Sequence, residues 1–351
     1  MVSKADPNKV WKYLIDNNYL DVYIFLISSL DNLRNRASLL NKNIKELEEK
    51  IKRMIEQVNL SSEKIVPENT EVSSMFKDIH YAELEVIQRI NILIELMAVY
   101  YYMIRSNLKE LPRCIGRNDF PTKKLRQEFE YFNNQKLTDV YVNFNYPNAN
   151  SFDELSDEEK KILKELLNQS ATKILSAFKE IYRFQKNFRT VYNKYKHTLS
   201  EFTGVFGIDY ARKEIQTHIY VRHKENDEFC TYIIPVSLDE VKYFTEISAR
   251  VYLVLRALID GVLLRIVNEG RDFIPRTLFI EKAYETKFKE IADKLQTCVM
   301  PEFISKMIVK PPDQKTIEQI NRQLREQHIY KMKDILDIGN LLKEGVTISK
   351  D

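Results

Sequence analysis

The stretch DNLRNRASLLNKNIKELEEKIKRMIEQV, residues 31–58, decides the fold. Leu33, Ala37, Leu40, Ile44, Leu47, Ile51, Met54 and Val58 recur at alternating steps of four and three, with lysine and glutamate between them. That period draws one narrow apolar seam along a long helix, and such a seam must be covered by another helix. Two coverings are open: an antiparallel partner within the chain, or a second chain in an intermolecular coiled coil.

The rest of the composition points the same way. Only 7 of 351 residues are glycine and 10 are proline, which favours long helices over sheets joined by tight turns. A 44% hydrophobic fraction suffices for a substantial core. No glycine-rich phosphate loop of the dinucleotide or P-loop kind is present. A net charge of +3 does not by itself imply a nucleic-acid partner, so that case rests on local clustering. Cys114, Cys230 and Cys298 are far apart and odd in number, which fits a reducing cytoplasm and offers no cysteine-rich metal site. The run Ile90–Ile104 contains Asn91 and Glu95 and is too short to span a bilayer, so no membrane role is expected.

Working outward from the seam, Asp6 with Pro7 opens a first helix through Trp11, interrupted near Asn17 and Asn18. Trp11, the one tryptophan, is expected to anchor a core or an interface. A second long helix covers about 72–108, apolar around most of its circumference and therefore central, with Glu95 its polar exception. Pro112, Gly116 and Pro121 mark a loop, followed by a short helix at about 123–132. LTDVYVNFNY, residues 137–146, alternates like an isolated strand or forms an ordered loop. Ser156 and Glu159 make a capping box that opens a helix reaching about Leu199. Beyond Gly204 and Gly207 the period changes to two, predicting one inserted β-hairpin at about 214–236. Ser237 and Glu240 cap a helix to about Asn268, and two or three helices follow, the last at about 316–343. The expected architecture is mainly α, a multi-helix up-and-down bundle. Its segments are 1–70, a core at 71–270, and C-terminal helices at 271–351.

The chemistry concentrates in YRFQKNFRTVYNKYKH, residues 182–197. Arg183, Lys186, Arg189, Lys194 and Lys196 are basic, and no acid interrupts them. A helical wheel places Ile174, Ile181, Phe184, Phe188, Tyr192, Tyr195 and Leu199 on a core stripe. Arg189, Asn193 and His197 fall on a different stripe at i, i+4 and i+8, joined by Lys186. Arg189 and His197 are roughly 12 Å apart along the axis, so a shared phosphate requires the long arginine side chain to reach. One reading is a solvated basic face near a helix C-terminus. The other is an anion or RNA site, with cations holding phosphate and a histidine able to exchange a proton near neutrality.

YNKYKH on a long helix of a helical protein resembles the HEPN superfamily. That family is an up-and-down helical bundle whose hallmark is an arginine, four to six residues, then a histidine, often with a polar residue directly after the arginine. By position Asn193 matches the polar residue and His197 the histidine, while Tyr192 stands where the arginine belongs. The resemblance implies a metal-independent endoribonuclease of a toxin or defence system, or an inactive RNA- or nucleotide-binding relative. It further implies a homodimer with a composite site, and no cofactor. His197, Asn193 and Arg189 would then be catalytic; Arg183, Lys186, Lys194 and Lys196 would bind RNA phosphate. The alternative is a non-catalytic helical interaction or assembly protein, with the 33–58 seam as its assembly surface and a basic anion-binding face.

Other histidines carry less. His218 and His223 lie five apart on a predicted strand and face opposite sides. His80 with Glu83 lacks a second histidine at i+4 for a metal. No GxSxG nucleophile motif occurs.

Overall fold

The computed structural model describes residues 7–60, 70–117, 120–197, 203–209, 214–222, 229–268, 273–275, 278–295 and 318. Within them the chain is mostly helical and bundled. Helix α1 (Pro7–Asp16) opens on its proline, where the missing N–H would have no intrahelical partner. Asn18, at φ 56°, turns the chain into α2 (Leu20–Leu60); asparagine tolerates that left-handed conformation better than most residues. The side chain of Trp11 lies outside the described residues.

Up to Met54 the heptad seam is spent inside the chain; the side chain of Val58 lies outside the described residues. Leu33, Leu40, Ile44, Leu47, Ile51 and Met54 of α2 are all buried, with Ala37 half-buried among them. They are covered by α3 (Thr70–Ser106) and α8 (Leu238–Val267). Of the two coverings open in the sequence, the intrachain one is therefore realised, and these positions are closed to a second chain. Helix α3 is central, packing on α2, α5 (Thr122–Asn134), α7 (Asp157–His197) and α8. Phe76, Ile79, Leu84, Ile87, Ile90, Leu93, Ile94 and Met97 are buried around it. Buried apolar residues from Val10 to Leu295 form one cluster, so α1 and α9 (Glu285–Leu295) share the core of the central helices.

Two segments differ from expectation. Residues 112–117, expected as a loop, belong to α4 (Leu111–Arg117). Pro112 stands in the first turn, where helices tolerate proline. Residues 137–143, expected as a strand or ordered loop, form α6 (Leu137–Asn143). The Asp139 carboxylate accepts from the Lys136 N–H at 2.8 Å and caps the turn. Val140 and Phe144, four apart, both point inward, whereas Val142 is 74% exposed. The i, i+4 pair, rather than the alternation, carries the burial.

Where one inserted hairpin at about 214–236 was expected, the strands β1 (Thr203–Asp209), β2 (Glu214–Arg222) and β3 (Phe229–Pro235) pair antiparallel in that order. Gly204 and Gly207 sit inside β1, opposite Ile219 and Gln216, rather than in the connection before a hairpin. Two glycines in a strand weaken the period-2 signal, which is why β1 was not legible. From β3 the buried Ile234 and Val236 lead into α8, whose first turn is capped by Ser237 Oγ accepting from the Glu240 N–H at 3.1 Å. The helices expected between residues 296 and 351 lie outside the described residues.

Helix α8 also clamps the connection between α6 and α7. A Cβ placed on Gly261 would come within 2.9 Å of the Phe144 carbonyl oxygen, so glycine is required there for close approach. Arg265 reaches Asn145 Oδ1 at 3.1 Å beside it. Gly261→Ala should therefore destabilise by about 1–3 kcal/mol through overpacking against backbone. That loss would outweigh the roughly 1 kcal/mol that alanine gains in helix propensity. A lowered urea midpoint with unchanged m-value checks it.

Candidate functional site

Helix α7 is held at its start and again in its second half. At its start the Ser156 N–H donates to Glu159 Oε2 at 3.0 Å, and the Glu159 N–H donates to Ser156 Oγ at 3.3 Å. Lys294 of α9 pairs with the same glutamate, and together these contacts pull its carboxyl down to about 2. Farther along, Phe184 and Phe188 pack on Tyr243 and Phe244 of α8, with centroids 5.9–6.2 Å apart. The core stripe is as the wheel places it for Ile174, Ile181, Phe184 and Tyr192, all buried, and Phe188 is half-buried. The side chains of Tyr195 and Leu199 lie outside the described residues.

Fixing that stripe turns Arg189 and Asn193 towards a small cleft between α3, α5 and α7. Its volume is about 50 Å³, and Asn91 and Glu95 of α3, Arg126 of α5, and Arg189, Tyr192 and Asn193 of α7 line it. A cavity of that size admits a few waters or one small anion and excludes a nucleobase. Arg189 is half-buried; desolvation lowers its pKa, the Arg126 guanidinium lowers it further, and Glu130 and Glu95 oppose both. Two guanidiniums thus line one cleft near enough for their charges to interact, in a site where carboxylates offset part of the repulsion.

Tyr192 ties α7 to α3. Its hydroxyl donates to Glu95 Oε2 at 2.8 Å. Burial, and then the neighbouring carboxylate, raise its pKa, so the phenol keeps its proton. Tyr192 orients Glu95 and fixes the rotation of α7; it supplies no positive charge.

The other basic residues separate. Arg183 is exposed and paired with Glu180 at 2.6 Å, and Lys186 is exposed. His197 closes the α7 backbone one turn beyond Asn193, but its side chain, with those of Lys194 and Lys196, lies outside the described residues. The sequence reading missed Arg126. It lies in KKLRQEFEY, and nothing in that segment indicates that α5 packs beside α7. Glu95 was visible as the polar exception of an apolar helix, but its contact with Tyr192 was not.

Elsewhere, His80 and Glu83 are buried on α3. Burial holds the His80 ring neutral by lowering its pKa to about 4. Among the described residues no three histidine, cysteine, aspartate or glutamate side chains converge as metal ligands. His218 lies in β2 and its side chain, like all of His223, lies outside the described residues. No described helix is long and apolar enough to cross a membrane. Comparison with protein-family models, with curated proteins and with solved structures finds no match in any of the three.

Proposed function

We propose that this chain is an RNA-directed, HEPN-like helical protein acting at the C-terminal part of α7, with metal-independent cleavage of a phosphodiester as its reaction. The observation that carries the reading is the approach of Arg126 to Arg189 in a phosphate-sized cleft that Asn193 also lines. Arginine pairs of this kind suit a tetrahedral oxyanion, because each guanidinium offers several donors in a fixed fork. Arg126 from α5 would supply the fixed charge that Tyr192 cannot. His197 would accept the proton of an RNA 2′-hydroxyl as that oxygen attacks the adjacent phosphorus. The 5′-oxygen then leaves, taking a proton from solvent to become a 5′-hydroxyl, and a 2′,3′-cyclic phosphate remains. Asn193 would orient the phosphate, and a second copy of the chain would complete the site, as the resemblance implies.

One observation favours a non-catalytic RNA or anion binder instead: Tyr192 occupies the motif arginine's position and is committed to Glu95. RNA cleavage in excess chelator by wild type, His197→Ala and Arg189→Ala separates the two readings. Wild-type cleavage leaving cyclic phosphate ends, reduced at least about 100-fold in His197→Ala, is the expected result for general acid–base work. Wild-type activity lost on chelation would reject the mechanism. Retained RNA binding without cleavage, weakened in Arg189→Ala, would favour the binder.

A further inference from the structure

A second group of basic residues lines a groove beside the α2 seam. This open groove of about 800 Å³ runs between α2 and α8 and shares no lining residue with the α7 cleft. On its α2 wall Arg34, Lys42 and Lys45 are exposed, and no carboxylate is among the residues that line it. Two acids of the same helices are paired: Glu46 meets Lys42 at 3.8 Å with both side chains more than half exposed, and Glu246 is held by Arg250 at 3.5 Å. Arg34 and Lys45 share one stripe of α2, and Lys42 stands roughly 80° around the helix from Arg34, on the same wall of the groove. Arg34 and Lys45, eleven residues apart, are separated by roughly 17 Å of helix. Across the groove stands the half-buried Tyr252 ring, and the Thr245 and Ser248 hydroxyls donate to their own helix carbonyls. The remaining donors are thus concentrated on one wall, with an aromatic ring on the other.

We infer that this groove binds a single-stranded nucleic acid, its phosphates along Arg34, Lys42 and Lys45 and a base against Tyr252. A wall of cations with an aromatic opposite is what a phosphodiester strand needs: the charges track the backbone and the ring takes any base face. An acidic peptide would match the cations and leave the ring without a role. The volume exceeds what one phosphate needs and suits a strand of a few nucleotides. The inference stands on the groove alone and does not depend on catalysis at α7.

The test is fluorescence anisotropy of a labelled oligothymidylate of about 12 nucleotides, titrated at several salt concentrations. A DNA probe lacks the 2′-hydroxyl and so cannot be consumed by the reaction proposed for α7. Each phosphate neutralised on a single strand contributes about −0.7 to the slope of log K against log salt. Removing two cations with Arg34→Ala/Lys45→Ala should flatten that slope by about 1.4. Tyr252→Leu should weaken binding about tenfold with the slope unchanged. Lys52→Ala, on α2 outside the groove, should change neither quantity. Unaltered binding in the double variant overturns the inference, as does loss confined to Arg126→Ala and Arg189→Ala, which would place the strand in the cleft. Displacement by polyglutamate at equal charge concentration would overturn the nucleic-acid assignment. Circular dichroism melts of the exposed-site variants establish that they fold.

Discussion

Arg105→Met should destabilise the protein by about 2–4 kcal/mol at neutral pH, and by much less in mild acid. Arg105 of α3 pairs with Glu128 of α5, a carboxylate whose side chain is only 7% exposed. Its guanidinium also lies 4.2 Å from the Tyr131 ring centre and 4.9 Å from that of Tyr101. Burial raises the pKa of Glu128, and the charge and hydrogen bond of Arg105 pull it back. Without the arginine the desolvation is uncompensated, and the carboxyl escapes it by taking a proton. From the ordinary value of 4.5, protonation at pH 7 costs roughly 3–4 kcal/mol at about 1.4 kcal/mol per unit, which caps the loss. In the variant the folded-state pKa of Glu128 lies above its unfolded value. Its favourable contribution is then complete below the unfolded pKa and disappears as pH rises through the folded one. The variant should approach wild-type stability near pH 4–5 and diverge from it towards pH 8. Glu128→Gln in the Arg105→Met background should remove that pH dependence. Urea unfolding of the three proteins across pH measures all of this, and a pH-independent loss would show packing, not charge, to be responsible.

Phe178→Ala should cost about 3–5 kcal/mol. Phe178 of α7 is fully buried, and its ring centre lies 5.2 Å from Tyr101 of α3, 4.8 Å from Phe132 of α5 and 6.2 Å from Phe144 after α6. Four segments therefore meet on one ring, and truncation leaves a cavity that none of them can fill without moving the others. Around it, Asn143 donates to the Tyr101 hydroxyl at 2.6 Å, and that hydroxyl donates to Gln135 at 3.0 Å, which fixes the rings in place. Phe178→Leu should recover about half of the loss, because it restores most of the volume but not the ring contacts. Denaturant midpoints with unchanged m-values are the check; a loss below 1 kcal/mol in Phe178→Ala would mean that the cluster collapses freely.

What the sequence disclosed follows from periodicity. The α2 seam, the central α3 and the core stripe of α7 were legible because many residues repeat at helical spacing, and each repeat reinforces the others. The capping serine at 156 was legible because its partner is only three residues away. Residues 137–143 were misread since a seven-residue helix offers too few positions to tell a period of two from one of 3.6. Residues 112–117 were misread because proline's tolerance in a first turn looks, in sequence, like a break. At the cleft, Arg189 and Asn193 could be set side by side from the wheel because they are on one helix, while the side chain of His197, on the same stripe, lies outside the described residues. Arg126 and the Tyr192–Glu95 bond depend on how separate helices meet, and no local pattern encodes that.

The hydrogen bond from Tyr192 to Glu95 has a consequence for chain length. Phe178 and Tyr192 both face fixed partners from one continuous helix, so the number of residues between them sets the angle at which Arg189 and Asn193 emerge. A single inserted residue would rotate everything downstream by about 100° and turn the cleft's arginine away from Arg126. Seven inserted residues would restore the angle to within about 20° and carry the arginine roughly 10 Å past it instead. Substitutions along this span can be graded by size and charge, but insertions and deletions cannot: none of them preserves both phase and height.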